Sequence, residues 1–133
     1  MRFMLLMCPN IPQNDADWAP PAEAVAVMER YNDELRKAGV LLSLEGLHST
    51  ARGARVSFSG GRATVTDGPF TESKEIIGGF WMIQARSLDE AVEWAKRCPI
   101  SAADGAPIEV RQVAEMSDFP DDVQAAFQAA TAG

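Results

Sequence analysis

The chain has 133 residues, 47% of them hydrophobic and 23% charged, which reads as one globular domain with a single core. Nineteen acidic against twelve basic residues give a net charge of −7. That balance argues against a broad nucleic-acid surface, which needs clustered Lys and Arg, and no segment approaches the roughly 20 apolar residues that span a bilayer.

Taken in chain order, Phe3 to Met7 is apolar at every position, the pattern of a central strand covered on both faces. The run ends at Cys8, is broken by Pro9 and Pro12, and is too short for a signal peptide. A cytoplasmic location is expected. Residues 9–20 read as a polar loop. A tryptophan exposed in such a loop is costly, so Trp18 is expected to fold back over a pocket or an interface.

Pro20-Pro21 opens a helix expected to reach Ala38, with Ala24, Met28, Tyr31, Leu35 and Ala38 in one apolar stripe. Asp33 and Lys37 are spaced to pair on its wet side, and Gly39 is its C-cap. Val40 to Leu44 reads as a strand, followed by Glu45-Gly46-Leu47-His48. Val56 and Phe58 alternate with polar neighbours, Gly60-Gly61 makes a two-residue turn, and Ala63 and Val65 continue the alternation. This predicts a β-hairpin.

Asp67-Gly68-Pro69 then forces a turn, since glycine permits unusual backbone angles and proline fixes its own φ and lacks an N–H. Ile76 to Ala85 is the longest strand expected, with a bulge or a close backbone approach at Gly78-Gly79. Ser87 to Glu90 is a capping box in which Glu90 reaches back. Leu88, Ala91, Val92 and Ala95 are expected on its core side, and Pro99 to stop the helix. Residues 101–106 read as a loop and Pro107 to Val113 as the last strand. Phe119, Val123 and Phe127 give the tail, residues 117–133, a short amphipathic helix beyond a domain of residues 1–116.

Apart from hairpin and tail, the order is strand, helix, strand, strand, helix, strand. That is the split β-α-β pattern of an α+β, ferredoxin-like sandwich with an inserted hairpin. Two helices cover one sheet face. The first strand offers apolar residues to the other face as well, so a homodimer burying two sheet faces against each other is expected.

Chemistry-bearing residues are few. His48 is the single histidine and the one side chain that ordinarily titrates near neutrality. With the Glu45 carboxylate beside it, it has the makings of a general acid; the plainer reading is a solvated loop residue. Asp67 is either a general base or polar anchor at a pocket mouth, or a turn former bonding its own backbone. Phe70 is a packing residue or a stacking surface. Glu72 and Lys74 point to one side of an extended segment and either bind a polar ligand together or keep a strand edge solvated. Tyr31 and Trp81 are core residues or the apolar walls of a pocket between helix and sheet. Cys8 and Cys98 have no metal-ligand spacing and read as thiols in a reducing compartment. No metal or cofactor is expected, and no nucleotide, nucleophile-elbow or metalloprotease motif is present.

The run Asp67-Gly68-Pro69-Phe70-Thr71-Glu72-Ser73-Lys74-Glu75, followed by Gly78-Gly79-Phe80, resembles the DGPF branch of the YCII-related family. The similarity extends from Arg2-Phe3-Met4-Leu5-Leu6 through Glu45-Gly46-Leu47 to Glu93-Trp94-Ala95 and Ile108-Glu109-Val110-Arg111. It implies a ferredoxin-like domain pairing as a dimeric α/β barrel. Founding members are associated with a His–Asp pair whose histidine lies on the first helix; residues 20–38 here hold none. Relatives are often encoded beside extracytoplasmic-function sigma factors, which implies a regulatory, stress-linked role. Two functions follow: a dimer that binds a small molecule or a partner, or a cofactor-independent enzyme using Asp67 and His48.

Overall fold

A computed structural model describes residues 1–70 and 76–132. In chain order the elements are β1 (Arg2–Met7), α1 (Ala22–Lys37), β2 (Leu41–Gly46), β3 (Ala54–Ser59), β4 (Arg62–Asp67), β5 (Gly79–Gln84), α2 (Leu88–Lys96), α3 (Pro99–Asp104), β6 (Ile108–Gln112) and α4 (Asp121–Ala132). A four-stranded sheet runs β2-β5-β1-β6, every neighbouring pair antiparallel. This is the strand order of a ferredoxin-like α+β fold, with β3 and β4 as a separate two-stranded hairpin.

Register decides which face each residue serves, because side chains alternate across a strand. Phe3 lies opposite Ile83 and Leu5 opposite Trp81. These four are buried with Tyr31 and Leu35 of α1 and Ala91 of α2, forming the core between helices and sheet. On the other face Met4 lies opposite Met82 and Leu6 opposite Phe80. All four are half-buried, and Glu45, Glu109 and Arg111 flank them on the neighbouring strands.

A polar relay runs from the core to the surface. Trp81 Nε1 donates to Asn32 Oδ1 at 2.7 Å, and Asn32 Nδ2 donates to Glu29 Oε1 at 3.0 Å. Tyr31 meets Trp81 edge to face, with ring centroids 5.5 Å apart, and its hydroxyl donates to the Trp94 carbonyl at 2.7 Å. Burial pushes the Tyr31 phenol well above its ordinary pKa, so it stays a neutral donor.

The hairpin is formed as expected. Gly60 and Gly61 both have positive φ, +57° and +77°, which is what a two-residue turn matched to strand twist requires. Ala54, Val56 and Phe58 share one face with Ala63, Val65 and Asp67; Arg55, Ser57, Ser59, Arg62, Thr64 and Thr66 share the other. Every residue of both strands is exposed, and Phe58 is 77% exposed.

Several local expectations are corrected. The strand expected over 76–85 runs only from Gly79 to Gln84; Gly78, set close against Pro9, is still hydrogen-bonded to Met7 and Leu47. Of the bulge or close approach expected at Gly78-Gly79, the structure has the close approach, and the register shift lies between Leu41 and Ser43. The helix expected to stop at Pro99 does end before it, at Lys96, but the loop expected over 101–106 is largely α3, which Pro99 starts; proline suits the first helical position, where its missing N–H has no intrahelical acceptor. Glu90 reaches back to the Arg86 N–H, not to Ser87, while Ser87 does cap the Glu90 N–H. Leu88 is 52% exposed rather than in the core. Asp33 pairs with Arg36 at 2.8 Å, not with Lys37.

The chain after β6 is tied back to β1 by Arg2 and Glu115, whose two contacts are 2.6 and 3.0 Å. In α4, Phe127 stacks on Phe119 with centroids 6.1 Å apart, and Phe119 itself precedes the helix.

Candidate functional site

A cavity of about 540 Å³ lies beside the helix-covered face of the sheet, at the end where β1 and β2 finish. Met7 brings β1 into it, and Pro9 continues the wall. Pro9 is buried because the chain crosses Gly78 at very short range: a Cβ on Gly78 would lie 2.4 Å from Pro9 Cγ. Gly78 is also stitched to both neighbours, its N–H donating to the Met7 carbonyl and its carbonyl accepting from the Leu47 N–H, each at 2.8 Å.

The loop between β1 and α1 forms the outer wall, and its conformation is set by polar contacts. Buried Gln13 accepts the Thr50 N–H on Oε1 at 2.8 Å, and Ser49 Oγ donates to the Asp15 carbonyl at 2.7 Å. Asp15 Oδ1 accepts the Asp17 N–H at 2.9 Å. These bonds hold the loop against the short 3-10 turn Thr50–Arg52 and deliver Trp18 to the cavity. Pro20 and Pro21 then lead into α1, whose Ala24, Val25, Met28 and Glu29 complete that side. Ile100 and Asp104 of α3 close the far end.

His48 is on the cavity wall, next to Gly46 and Leu47. Its Nε2 lies 3.1 Å from Arg52 Nη1. A guanidinium only donates, so a hydrogen bond across this contact has the ring nitrogen as its acceptor. The contact of His48 is therefore a cation. Glu45 lies opposite Phe80 on the other face of the sheet and is not brought to it.

Asp67 does not line the cavity. It ends β4, paired with Ala54 at the base of the hairpin, and is exposed. The residues after it act on the cavity indirectly. The Gly68 N–H donates to the Gly53 carbonyl at 2.9 Å, and a Cβ on Gly68 would fall 1.6 Å from the Thr50 carbonyl oxygen. Gly68 has no positive φ among the glycines that do, so it is needed for close approach and not for its backbone angles. The Phe70 N–H donates to Thr50 Oγ1 at 3.1 Å, and the Phe70 ring carries the Arg55 guanidinium 4.2 Å from its centroid. Gly68 and Phe70 thus brace the turn that holds the Trp18 loop. Tyr31 and Trp81 are core residues. Glu72 and Lys74 lie outside the described residues.

Of the walls, sequence reasoning singled out Trp18 and His48. It did not find Met7, Pro9, Met28, Ile100 or Asp104, which come from separate elements and carry no shared spacing. The one available signal was Gly78: a glycine beside a strand marks a close backbone approach, and here the approaching group is Pro9. Among the described residues no three His, Cys, Asp or Glu come together to hold a metal ion, and no helix is long and apolar enough to cross a membrane.

The arrangement is that of a ferredoxin-like α+β domain with a lateral, mainly apolar cavity at one end of its helix layer. A family model described as YCII-related domain matches residues 1–117, and the chain belongs to that family. An uncharacterized protein of Rhizobium meliloti (strain 1021) is 36% identical over 89 residues, covering 67% of this chain and 68% of its own length.

Proposed function

We propose that this YCII-related protein is a homodimer that binds an organic small molecule in the cavity under Trp18. The observation that carries the reading is the cavity itself. Its volume of about 540 Å³ falls within the roughly 300–1,000 Å³ of small-molecule sites, and it combines apolar walls with a few polar groups, as such sites do. Its outer wall is built by specific hydrogen bonds, so the space is largely preformed.

Dimerisation is supported by the sheet face bearing Met4, Leu6, Phe80 and Met82, and by the exposed apolar side of the hairpin. The resemblance of Asp67 to Phe70 and the following residues to the DGPF branch supports a reading within that branch, and the same resemblance supports a regulatory role beside an extracytoplasmic-function sigma factor. The acid–base alternative draws on His48 at the cavity wall; it lacks Asp67 there, which is why binding is preferred.

Sedimentation at micromolar concentration tests the dimer and should give twice the 14.4 kDa chain mass. A thermal-shift screen of small metabolites against wild type and Trp18→Ala tests the cavity. Compounds that stabilise wild type should lose that effect in Trp18→Ala. Equal responses of the two proteins to every compound would remove the cavity from function.

A further inference from the structure

The charge on the cavity wall points to the chemistry of its occupant. Among the described residues lining it there is no Lys or Arg, while Glu29 and Asp104 are both present. Glu29 is partly answered already: Oε1 accepts from Asn32 Nδ2, and Oε2 lies 3.6 Å from Arg36 Nη1. Asp104 is not. Its Oδ1 accepts the Ala106 N–H at 2.8 Å, and among the described residues no cation pairs with it. The nearby cation, Arg52, does not line the cavity and is exposed to solvent, which screens its charge.

The apolar walls complete the description. Met7, Met28, Leu47 and Ile100 would enclose a hydrocarbon body, and Trp18 offers an indole at the same cavity. An aromatic face attracts a cation through its quadrupole, and methionine sulfur packs well against rings. An organic acid or phosphate would meet two carboxylates and, among the described wall residues, no Lys or Arg. Burying an anion without a partner is costly.

We infer that the cavity takes a compact organic cation: a flat or branched apolar body carrying an ammonium group, with the ammonium at Asp104 and the body against Trp18. The inference rests on the reading of the cavity as the binding site and adds the class of ligand.

Three probes of nearly one shape test it: tryptamine, tryptophol and indole acetate, carrying an ammonium, a hydroxyl and a carboxylate on the same ring system. Binding is measured by calorimetry up to millimolar probe for wild type, Asp104→Asn and Trp18→Ala. Tryptamine should bind wild type about three- to fivefold more tightly than tryptophol, the scale of an exposed ion pair, with indole acetate weakest. Added salt should weaken tryptamine alone. Asp104→Asn keeps an acceptor for the Ala106 N–H and should abolish the preference for tryptamine while leaving tryptophol unchanged. If tryptophol or indole acetate matches tryptamine in wild type, and Trp18→Ala weakens all three, the cationic class is overturned and the cavity stands. If no probe binds, or Trp18→Ala binds all three as wild type does, the cavity reading fails and the inference with it.

Discussion

Two regions of this chain pair antiparallel strands whose side chains alternate between two faces, and their apolar faces meet opposite fates. In β1 and β5 the alternation places Phe3, Leu5, Trp81 and Ile83 on a face sealed by two helices, and none of them is more than 4% exposed. In β3 and β4 it places Val56, Phe58 and Val65 on a face where the same kind of residue is 52 to 77% exposed. Local pattern makes a strand in both places. What buries it is decided elsewhere: by helices α1 and α2 in the first case, and by nothing within the described chain in the second. A two-stranded hairpin alone is marginal in water, so the second region depends on its glycine turn and on the anchor at its base.

The sharpest way to test the contrast is to remove one side chain from each region. Leu35→Ala, at a fully buried position, should cost about 2–5 kcal/mol of stability in a denaturant titration. A change below about 1 kcal/mol there would mean the core is not where the helices meet the sheet.

Asn32→Leu keeps the branched shape of the side chain but leaves the Trp81 Nε1–H without its acceptor. The expected loss is about 1–3 kcal/mol, measured by the same titration. Replacing both Asn32 and Trp81 by apolar residues should recover part of it.

The anchor between the two regions is tested by Gly68→Ala. The added methyl would meet a backbone oxygen, not a flexible side chain, so relief requires the turn Thr50–Arg52 to shift. A loss of about 1–3 kcal/mol is expected, together with changed emission from Trp18 in a Trp81→Phe, Trp94→Phe background. Unaltered emission and stability would detach the hairpin base from the cavity wall.

In the hairpin itself, Phe58→Ser should change the stability of the monomer by no more than about 0.5 kcal/mol. If the hairpin belongs to the dimer interface, the same change should weaken association about tenfold, about 1.4 kcal/mol, in sedimentation runs over a concentration series. Undiminished association would assign the interface to the sheet face alone.

The smallest effect is expected from pH. The Arg2 hydrogen bond and charge hold the Glu115 carboxyl below its ordinary pKa of 4.5. A carboxyl depressed in the folded state adds stability above its unfolded pKa and loses it as pH falls through the folded one. The difference between wild type and Arg2→Met should therefore be constant at neutral pH and shrink below about pH 4.5. Both groups are partly exposed, so the effect is small.

Much of this fold can be read from residue patterns, and the reasons for the exceptions are physical. The strand and helix order, the hairpin turn at Gly60-Gly61 and the helix cap at Ser87 depend on near neighbours in sequence, and all are present. The errors arise where distant segments meet. Ile76 and Ile77 look like strand, but the strand starts at Gly79, past the close approach of Pro9 to Gly78. Pro99 follows the end of α2 as expected, but the residues after it form α3 rather than a loop. The cavity is of the same kind: Trp18 stands out as a large ring in a polar loop, but Met7, Met28, Ile100 and Asp104 converge only in three dimensions. Asp67 drew attention through its neighbours, and the contacts that reach the cavity wall are made by Gly68 and Phe70.

The contact between Gly68 and Thr50 makes the hairpin and the cavity thermodynamically linked. The hairpin base presses on the turn whose amide and hydroxyl groups fix Gln13, Asp15 and hence Trp18. Under the binding proposed above, any free energy that seating the hairpin adds to that wall would be returned as ligand affinity, and a ligand that firms the wall would favour the seated hairpin by the same amount. Affinity for the cavity would then rise with protein concentration wherever assembly seats the hairpin, so a titration done at nanomolar protein and one done at micromolar protein would report two different constants.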